Sequence, residues 1–280
     1  MKRKVINKVK GFLTKDGAGV SLTRVLGNTT YHQYDPILLL DSFDSYKPAD
    51  YIASFPMHPH RGIETISYVY YGQMQHRDSL GNEDTIKDGE VQWMTAGSGI
   101  MHEEIIPAVN RLLGVQLWLN LPSQNKMVEP FYKRISNQEI REIIIPNGKI
   151  RVLAGKYEDK YAYQSPYLPL DYYDIHLDKN SSYTLATDEE KMVILFTLQG
   201  EIFVEEEVIL SQTAAKLTNG KTLTITTKDT AAQVLFISSL PLHEEIAWGG
   251  PIVMNTKEEL QKAFSDLKRG TFLKKSIKYE

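Results

Sequence analysis

The 280-residue chain contains no cysteine. That absence excludes a disulfide framework, a zinc–thiolate site, a cysteine-ligated iron–sulfur cluster and a cysteine nucleophile. It also suits a reducing compartment, so the expected location is the cytoplasm, with the nucleus as the alternative for a eukaryotic chain. No apolar run approaches the roughly 18 residues that a membrane-spanning helix needs. The basic start, MKRKVINKVKGFLTKDG, is followed by no apolar stretch and does not read as a secretory leader. It reads as an exposed strand with lysines on its solvent face. Neither sign of charge dominates, with 32 Lys and Arg against 35 Asp and Glu. The net charge of -3 offers no general attraction to nucleic acid or to anionic membrane, and neither is expected as a direct partner.

What is present is a dense succession of short strands. Residues 20–25, 68–71, 92–95, 113–121, 150–153, 192–198, 201–204 and 233–237 are rich in Val, Ile, Thr and aromatics, with Gly, Asn, Asp and Pro between them. Many short strands at this turn density predict an all-β sandwich or barrel. Two helices are expected. One is short, at residues 137–143. The other covers 256–269, where Thr256 and Glu259 form a capping box and Gly270 stands at the C-cap. Leu260, Ala263, Phe264 and Leu267 recur there at helical spacing.

The plan runs twice. MVILFTLQGEIFVEEEVI at 192–209 repeats the strand, Gly turn, strand shape of ISYVYYGQMQHRDSL at 66–80, but no His-x-His precedes it. The expected organisation is an N-terminal metal-binding barrel over 1–130 and a connector over 131–149. A metal-free C-terminal barrel with the terminal helix then covers 150–280.

The chemistry concentrates between His58 and Glu104. In a strand, residues two apart point to one face, so the imidazoles of His58 and His60 converge. His102 and Glu104 repeat that spacing, after a Gly-rich turn at 96–99 that lets the chain bend sharply. If the two segments face each other, three imidazoles and a carboxylate meet. A nitrogen and oxygen set without sulfur suits Fe, Mn, Co, Ni, Cu or Zn, not Ca or Mg. Glu64, four residues after His60, is a rival for the carboxylate. Strand parity does not choose between Glu64 and Glu104, because Gly62 can host a bulge. Glu103 points away from His102.

Residues 58–65 (HPHRGIET) resemble the first cupin motif in its pirin form, and residues 95–104 (TAGSGIMHEE) resemble the second pirin motif. DPILLLD at 35–41, QLWLNLP at 116–122 and GPIVMNT at 250–256 are similar to the family's flanking stretches. The resemblance runs from about residue 20 to the last helix and is looser between 146 and 242. It implies a bicupin, two jelly-roll barrels in one chain, with one Fe(II) in the N-terminal barrel. Carried onto this sequence, its ligands are His58, His60, His102 and Glu104, with Glu64 left behind them. The stretch 100–103 departs from the family pattern, and Met101 and Glu103 are expected to shape local electrostatics.

Gln116, Phe55, Met57 and Trp93 are the candidates for a substrate pocket, together with Trp118. His32, His76, His176 and His243 are isolated and read as surface or core histidines. The family implies quercetin 2,3-dioxygenase activity on a flavonol or related phenolic, with dioxygen as co-substrate. Glu104 or Glu64 would accept the substrate's hydroxyl proton. The family also implies an alternative, a metal- and redox-sensing regulator. With no basic stripe on the chain, that role would act through protein partners. A metal-dependent isomerase or hydrolase is the third reading, because fold does not fix function.

Overall fold

The structure is a computed structural model and describes residues 1–274. Each expected strand is present, and the chain folds as two β-rich units followed by one C-terminal helix. No helix among the described residues is long and apolar enough to cross a membrane. One unit comprises Leu13–Asn28, Ile37–Ser136 and the chain from Leu242 onward; the other comprises Met1–Phe12, Thr29–Pro36 and Asn137–Pro241. Both units are therefore discontinuous in sequence. This differs at the chain ends from a linear division at 130 and 150.

The first twelve strands in chain order are β1 (Val5–Lys10), β2 (Phe12–Asp16), β3 (Val20–Leu26), β4 (Ile37–Ser45), β5 (Phe55–His60) and β6 (Ile63–Tyr71). They continue with β7 (Gln73–Asp78), β8 (Glu83–Lys87), β9 (Glu90–Thr95), β10 (Ile100–Ile105), β11 (Leu112–Asn120) and β12 (Phe131–Ile135). In the unit that carries the histidine motifs, a seven-stranded sheet has the order β12-β9-β6-β11-β4-β3-β2. A four-stranded sheet has the order β5-β10-β7-β8. Val20, Leu22, Phe43, Val69, Met74, Ile86 and Leu112 come from both sheets and, with Ile106 just past β10, form one buried cluster. Burying side chains of this size contributes about 1.5–3 kcal/mol each, and this apolar plug is what holds the two sheets face to face.

The step from one sheet to the other occurs at Arg61 and Gly62. Gly62 has φ +80°, and a Cβ there would lie 2.0 Å from the Val253 carbonyl oxygen. Only glycine fits both the left-handed conformation and that approach. The change of sheet also resets side-chain parity between His60 and Glu64.

In the other unit, β1 is an edge strand paired with Thr213–Leu217. Its residues alternate half-buried and exposed, and Lys8 and Lys10 lie on the exposed face, as the basic N-terminus predicted. A second seven-stranded sheet and a four-stranded sheet enclose an apolar core including Ile150, Val152, Ile175, Leu195, Ile225 and Phe236.

The short helix expected at 137–143 is absent. Arg141–Ile145 is a strand paired with Gly148–Ala154 through a two-residue turn at Pro146 and Asn147. Three consecutive isoleucines favour extended backbone, Pro146 bars a helix from continuing, and the partner strand is two residues away. The C-terminal helix forms as Lys257–Arg269, with the Thr256–Glu259 capping box and Gly270 in the left-handed C-cap. Ala263, Leu260 and Leu267 pack with Ile252, Met254 and Phe272, whereas Phe264 is largely exposed.

Replacing Gly62 with alanine is expected to destabilise the protein by at least about 2 kcal/mol, read as a lower urea midpoint at unchanged slope. An unchanged midpoint would show that the Val253 backbone yields at little cost.

Candidate metal centre

β5 and β10 are neighbouring antiparallel strands, with His58 opposite His102 and His60 opposite Ile100. On the other side of β10, His102 stands opposite Asp78 and Glu104 opposite His76 of β7. Period-two alternation brings His58, His60 and His102 together on one face. The two histidine segments thus lie side by side in one sheet. Ligand nitrogens of the three imidazoles lie within 4.8 Å of one another, and His58 Nε2 is 3.0 Å from His60 Nε2. Metal–imidazole bonds of about 2.0–2.1 Å place neighbouring nitrogens about 3 Å apart, so the spacing fits a divalent ion.

Hydrogen bonds fix which ring nitrogen faces the centre. His58 Nδ1 lies 2.8 Å from the Pro56 carbonyl oxygen, and His60 Nδ1 lies 3.0 Å from that of Pro251. A carbonyl only accepts, so both Nδ1 atoms carry the proton and both Nε2 lone pairs are left for a metal. His102 reaches the same state through a relay. His76 Nε2 donates to Asp78 Oδ2 at 2.9 Å, which leaves His76 Nδ1 to accept the longer bond of 3.4 Å from His102 Nδ1. His102 Nε2 is then buried without a hydrogen-bond partner. A buried lone pair of this kind is costly unless a metal takes it. The residues present therefore fit a bound metal.

Burial lowers the pKa of His60 from its ordinary 6.5 to about 3, and the neighbouring His58 adds to the effect. Burial likewise pushes His102 well down, reinforced by His58, His60 and His76. Burial works against ionised Asp78, but hydrogen bonds from His76 and Asn82 outweigh it and hold the carboxyl below the usual range. Both shifted imidazoles are thus neutral near pH 7, the form that binds a metal.

Glu104 lies on the same face of β10 as His102, and its carboxylate is engaged by the opposite sheet. Oε1 accepts from Gln92 (2.5 Å), Gln116 (3.1 Å) and Ser67 (3.3 Å), whereas Oε2 accepts from Gln116 alone (2.8 Å). These donors form a row across the seven-stranded sheet: Gln92 pairs with Ser67, Ser67 with Gln116, Gln116 with Asp41, and Asp41 with Arg24. Glu64 has the opposite parity to Ser67 on β6, which places it on the other face of that sheet. There it accepts from Thr95 Oγ1 at 2.6 Å. The structure does not bring Glu64 to the imidazoles.

A cavity of about 550 Å³ opens onto His58 and His60, and Phe55, Gln116, Trp118 and Trp248 line it. The His60 and Trp118 rings meet edge to face at 5.0 Å, and Trp118 and Trp248 are 5.9 Å apart. Phe55 faces inward because of a bulge in β5: the three residues of β10 from His102 to Glu104 oppose the four of β5 from His58 back to Phe55. Met57 is 46% exposed, Trp93 is fully buried on the other face of β9 from Gln92, and neither lines the cavity.

Arg61 secures the surroundings. It is buried, and it donates to the Ser98 carbonyl (2.7 Å), Asp266 (2.9 Å) and the Phe272 carbonyl (2.9 Å). Its guanidinium also lies 4.2 Å from the centre of the Phe272 ring. Sequence reasoning set His76 aside as isolated. The His76-x-Asp78 spacing, again two apart on a strand, was the signal that ties it to this face.

Comparison with known proteins places these features in a group. The Pirin family matches residues 19–119, and the Pirin C-terminal cupin domain matches residues 172–273. A Pseudomonas aeruginosa protein named provisionally as a quercetin 2,3-dioxygenase is 38% identical over 96% of this chain and 97% of its own length. A pirin-like protein of Caulobacter vibrioides is 36% identical over 96% of this chain and 99% of its own. A crystal structure of quercetin 2,3-dioxygenase from Acinetobacter baumannii superposes with a TM-score of 0.89 at 32% identity, covering 97% of this chain and 99% of that one.

Between pH 6.5 and about 3 the unfolded chain binds a proton at residue 60 that the folded chain refuses. Stability therefore rises with pH across that window and is lost as pH falls through it. The metal-free protein should lose on the order of 2 kcal/mol from His60 alone between about pH 7 and 4.5, and His60→Asn should flatten that part of the slope. Equal slopes for the two proteins would mean that His60 is not buried neutral.

Proposed function

Because the chain belongs to the pirin family of two-cupin proteins, we propose that its N-terminal barrel is the centre of a metal-dependent dioxygenase acting on a phenolic substrate of the flavonol type, quercetin being the concrete case. The observation that carries this reading is the convergence of three imidazoles, His60 and His102 buried and His58 partly so, all presenting Nε2, with His58 and His60 at the wall of an aromatic-lined cavity. The proposed ion is Fe(II), although the same nitrogen donors would take Mn, Co, Ni, Cu or Zn. Bound there, iron supplies Lewis acidity toward a phenolic oxygen and a redox partner for dioxygen.

The chain's own residues set up the rest. His58, His60 and His102 hold the ion, and Glu104 is the proposed carboxylate ligand, following the family pattern. Three donors crowd Glu104 Oε1, so Oε2 would be the oxygen available to a bound ion and to the substrate's hydroxyl proton, although the carboxylate lies outside the group of three imidazoles whose ligand atoms are within 4.8 Å of one another. Gln116 bonds both oxygens and thereby fixes the plane of the carboxylate. Phe55, Trp118 and Trp248 give an aromatic ring apolar surfaces to pack against.

Protein purified without oxygen and reloaded with Fe(II) should consume dioxygen when quercetin is added, as followed with an oxygen electrode. Losing a partner behind a ligand already costs about 10–100-fold in metal affinity or activity, so His58→Ala should lose at least about a hundredfold in both. Absence of uptake with every divalent metal would sink the dioxygenase reading, and full metal content in His58→Ala would sink the ligand assignment.

A further inference from the structure

The polar row that begins at Glu104's partners does not stop at the metal. Across β11, β4 and β3 it passes from Gln116 to Asp41 and then to Arg24, and all three line the cavity. Two strand spacings separate Gln116 from Arg24, which is about 10 Å along the sheet. A ligand anchored at the histidines and reaching Arg24 is thus two or three rings long.

At that end the cavity presents an ion cluster. Arg24 Nε donates to Asp41 Oδ1 at 2.9 Å, and one terminal nitrogen bridges Asp41 Oδ2 (2.7 Å) and Asp16 Oδ2 (2.6 Å). Two carboxylates face one guanidinium, which leaves one net negative charge. Asp41 is buried and Asp16 is half exposed, so the cluster runs from the cavity wall to its mouth. The other terminal nitrogen of Arg24 makes no hydrogen bond among the described residues, and the carboxylates retain acceptor capacity. The cluster therefore offers one free donor beside several acceptors. A neutral hydroxyl, which both donates and accepts, satisfies that arrangement. A carboxylate or sulfate only accepts, and it meets a like charge.

We propose that Asp16, Arg24 and Asp41 form the specificity element of the cavity, selecting ligands whose end remote from the metal carries a neutral hydroxyl and rejecting those with an anion there. This rests on the reading of the cavity as a phenolic site at the metal and narrows its substrate class. Asp41 orients the guanidinium, and Asp16 supplies the charge in excess.

The test uses two probes with the same metal-binding end: 3-hydroxyflavone carrying a hydroxyl at the 4′ position, and 3-hydroxyflavone carrying a carboxylate there. Each is titrated calorimetrically, under nitrogen so that no turnover intervenes, into the metal-loaded protein and into Asp16→Asn. One unscreened unit charge near a protein surface is worth a factor of about ten or more, so the wild type should prefer the hydroxyl probe by about tenfold. Asp16→Asn removes the excess charge and should bring the ratio to within about twofold of one. Equal affinities in the wild type, or an unchanged ratio in Asp16→Asn, would overturn the specificity element and leave the phenolic site standing. Failure of both probes to bind the wild type would overturn the phenolic reading as well.

Discussion

The geometry of the metal centre depends on Arg61. Its guanidinium ties three stretches that are far apart in sequence: the end of β5, the Gly-rich turn before β10, and the C-terminal helix with Phe272 just beyond it. His60 is its chain neighbour, and Ser98 lies four residues before His102. Arg61 therefore fixes the distance between the two histidine-bearing strands at one end of their pairing. A buried cation costs several kcal/mol unless every donor is met, and here a carboxylate, two carbonyls and an aromatic face meet it. Removing any partner leaves that cost uncompensated within a few residues of the ligands. The step at Gly62 belongs to the same constraint, because Val253 N also bonds the Arg61 carbonyl at 3.1 Å.

Once the strands are fixed, chemistry follows from which atoms are already occupied. Each imidazole has its Nδ1 committed, to Pro56, to Pro251 or to His76, and so Nε2 is the only lone pair left on all three. Glu104 follows the same logic, with one oxygen saturated and the other nearly open. The barrel interior is accordingly divided. One end is a closed apolar plug. The other is lined by amides, hydroxyls and carboxylates that would be ruinous in a packed core but serve a ligand.

How much of this was legible depended on the range of the signal. His58, His60 and His102 were legible because a period of two is a local property of a strand. The C-terminal helix was legible because Thr256, Glu259 and Gly270 mark its ends within single turns. Where a residue's orientation depended on a change of sheet or a bulge, parity could not decide it. Glu64 turns away because the chain changes sheets at Gly62, and Phe55 turns inward because β5 bulges. The helix expected at 137–143 was a misreading, because the isoleucines before Pro146 favour a strand and their hairpin partner begins two residues on. The His76-x-Asp78 spacing was visible, but its link to His102 comes from β10 lying beside β7. Nothing local indicated that Pro251 would reach His60, 191 residues earlier.

That last contact bears on the order of events during synthesis. The histidines of β5 and β10 leave the ribosome long before the segment from Leu242 onward, which supplies Pro251, Asp266 and Phe272. Until that segment is translated, His60 lacks its tautomer-fixing carbonyl and Arg61 lacks its carboxylate. A chain lacking that segment would therefore present loosely held imidazoles. The tautomer and spacing of ligands at residues 58–104 are thus set by contacts from residues 251–272.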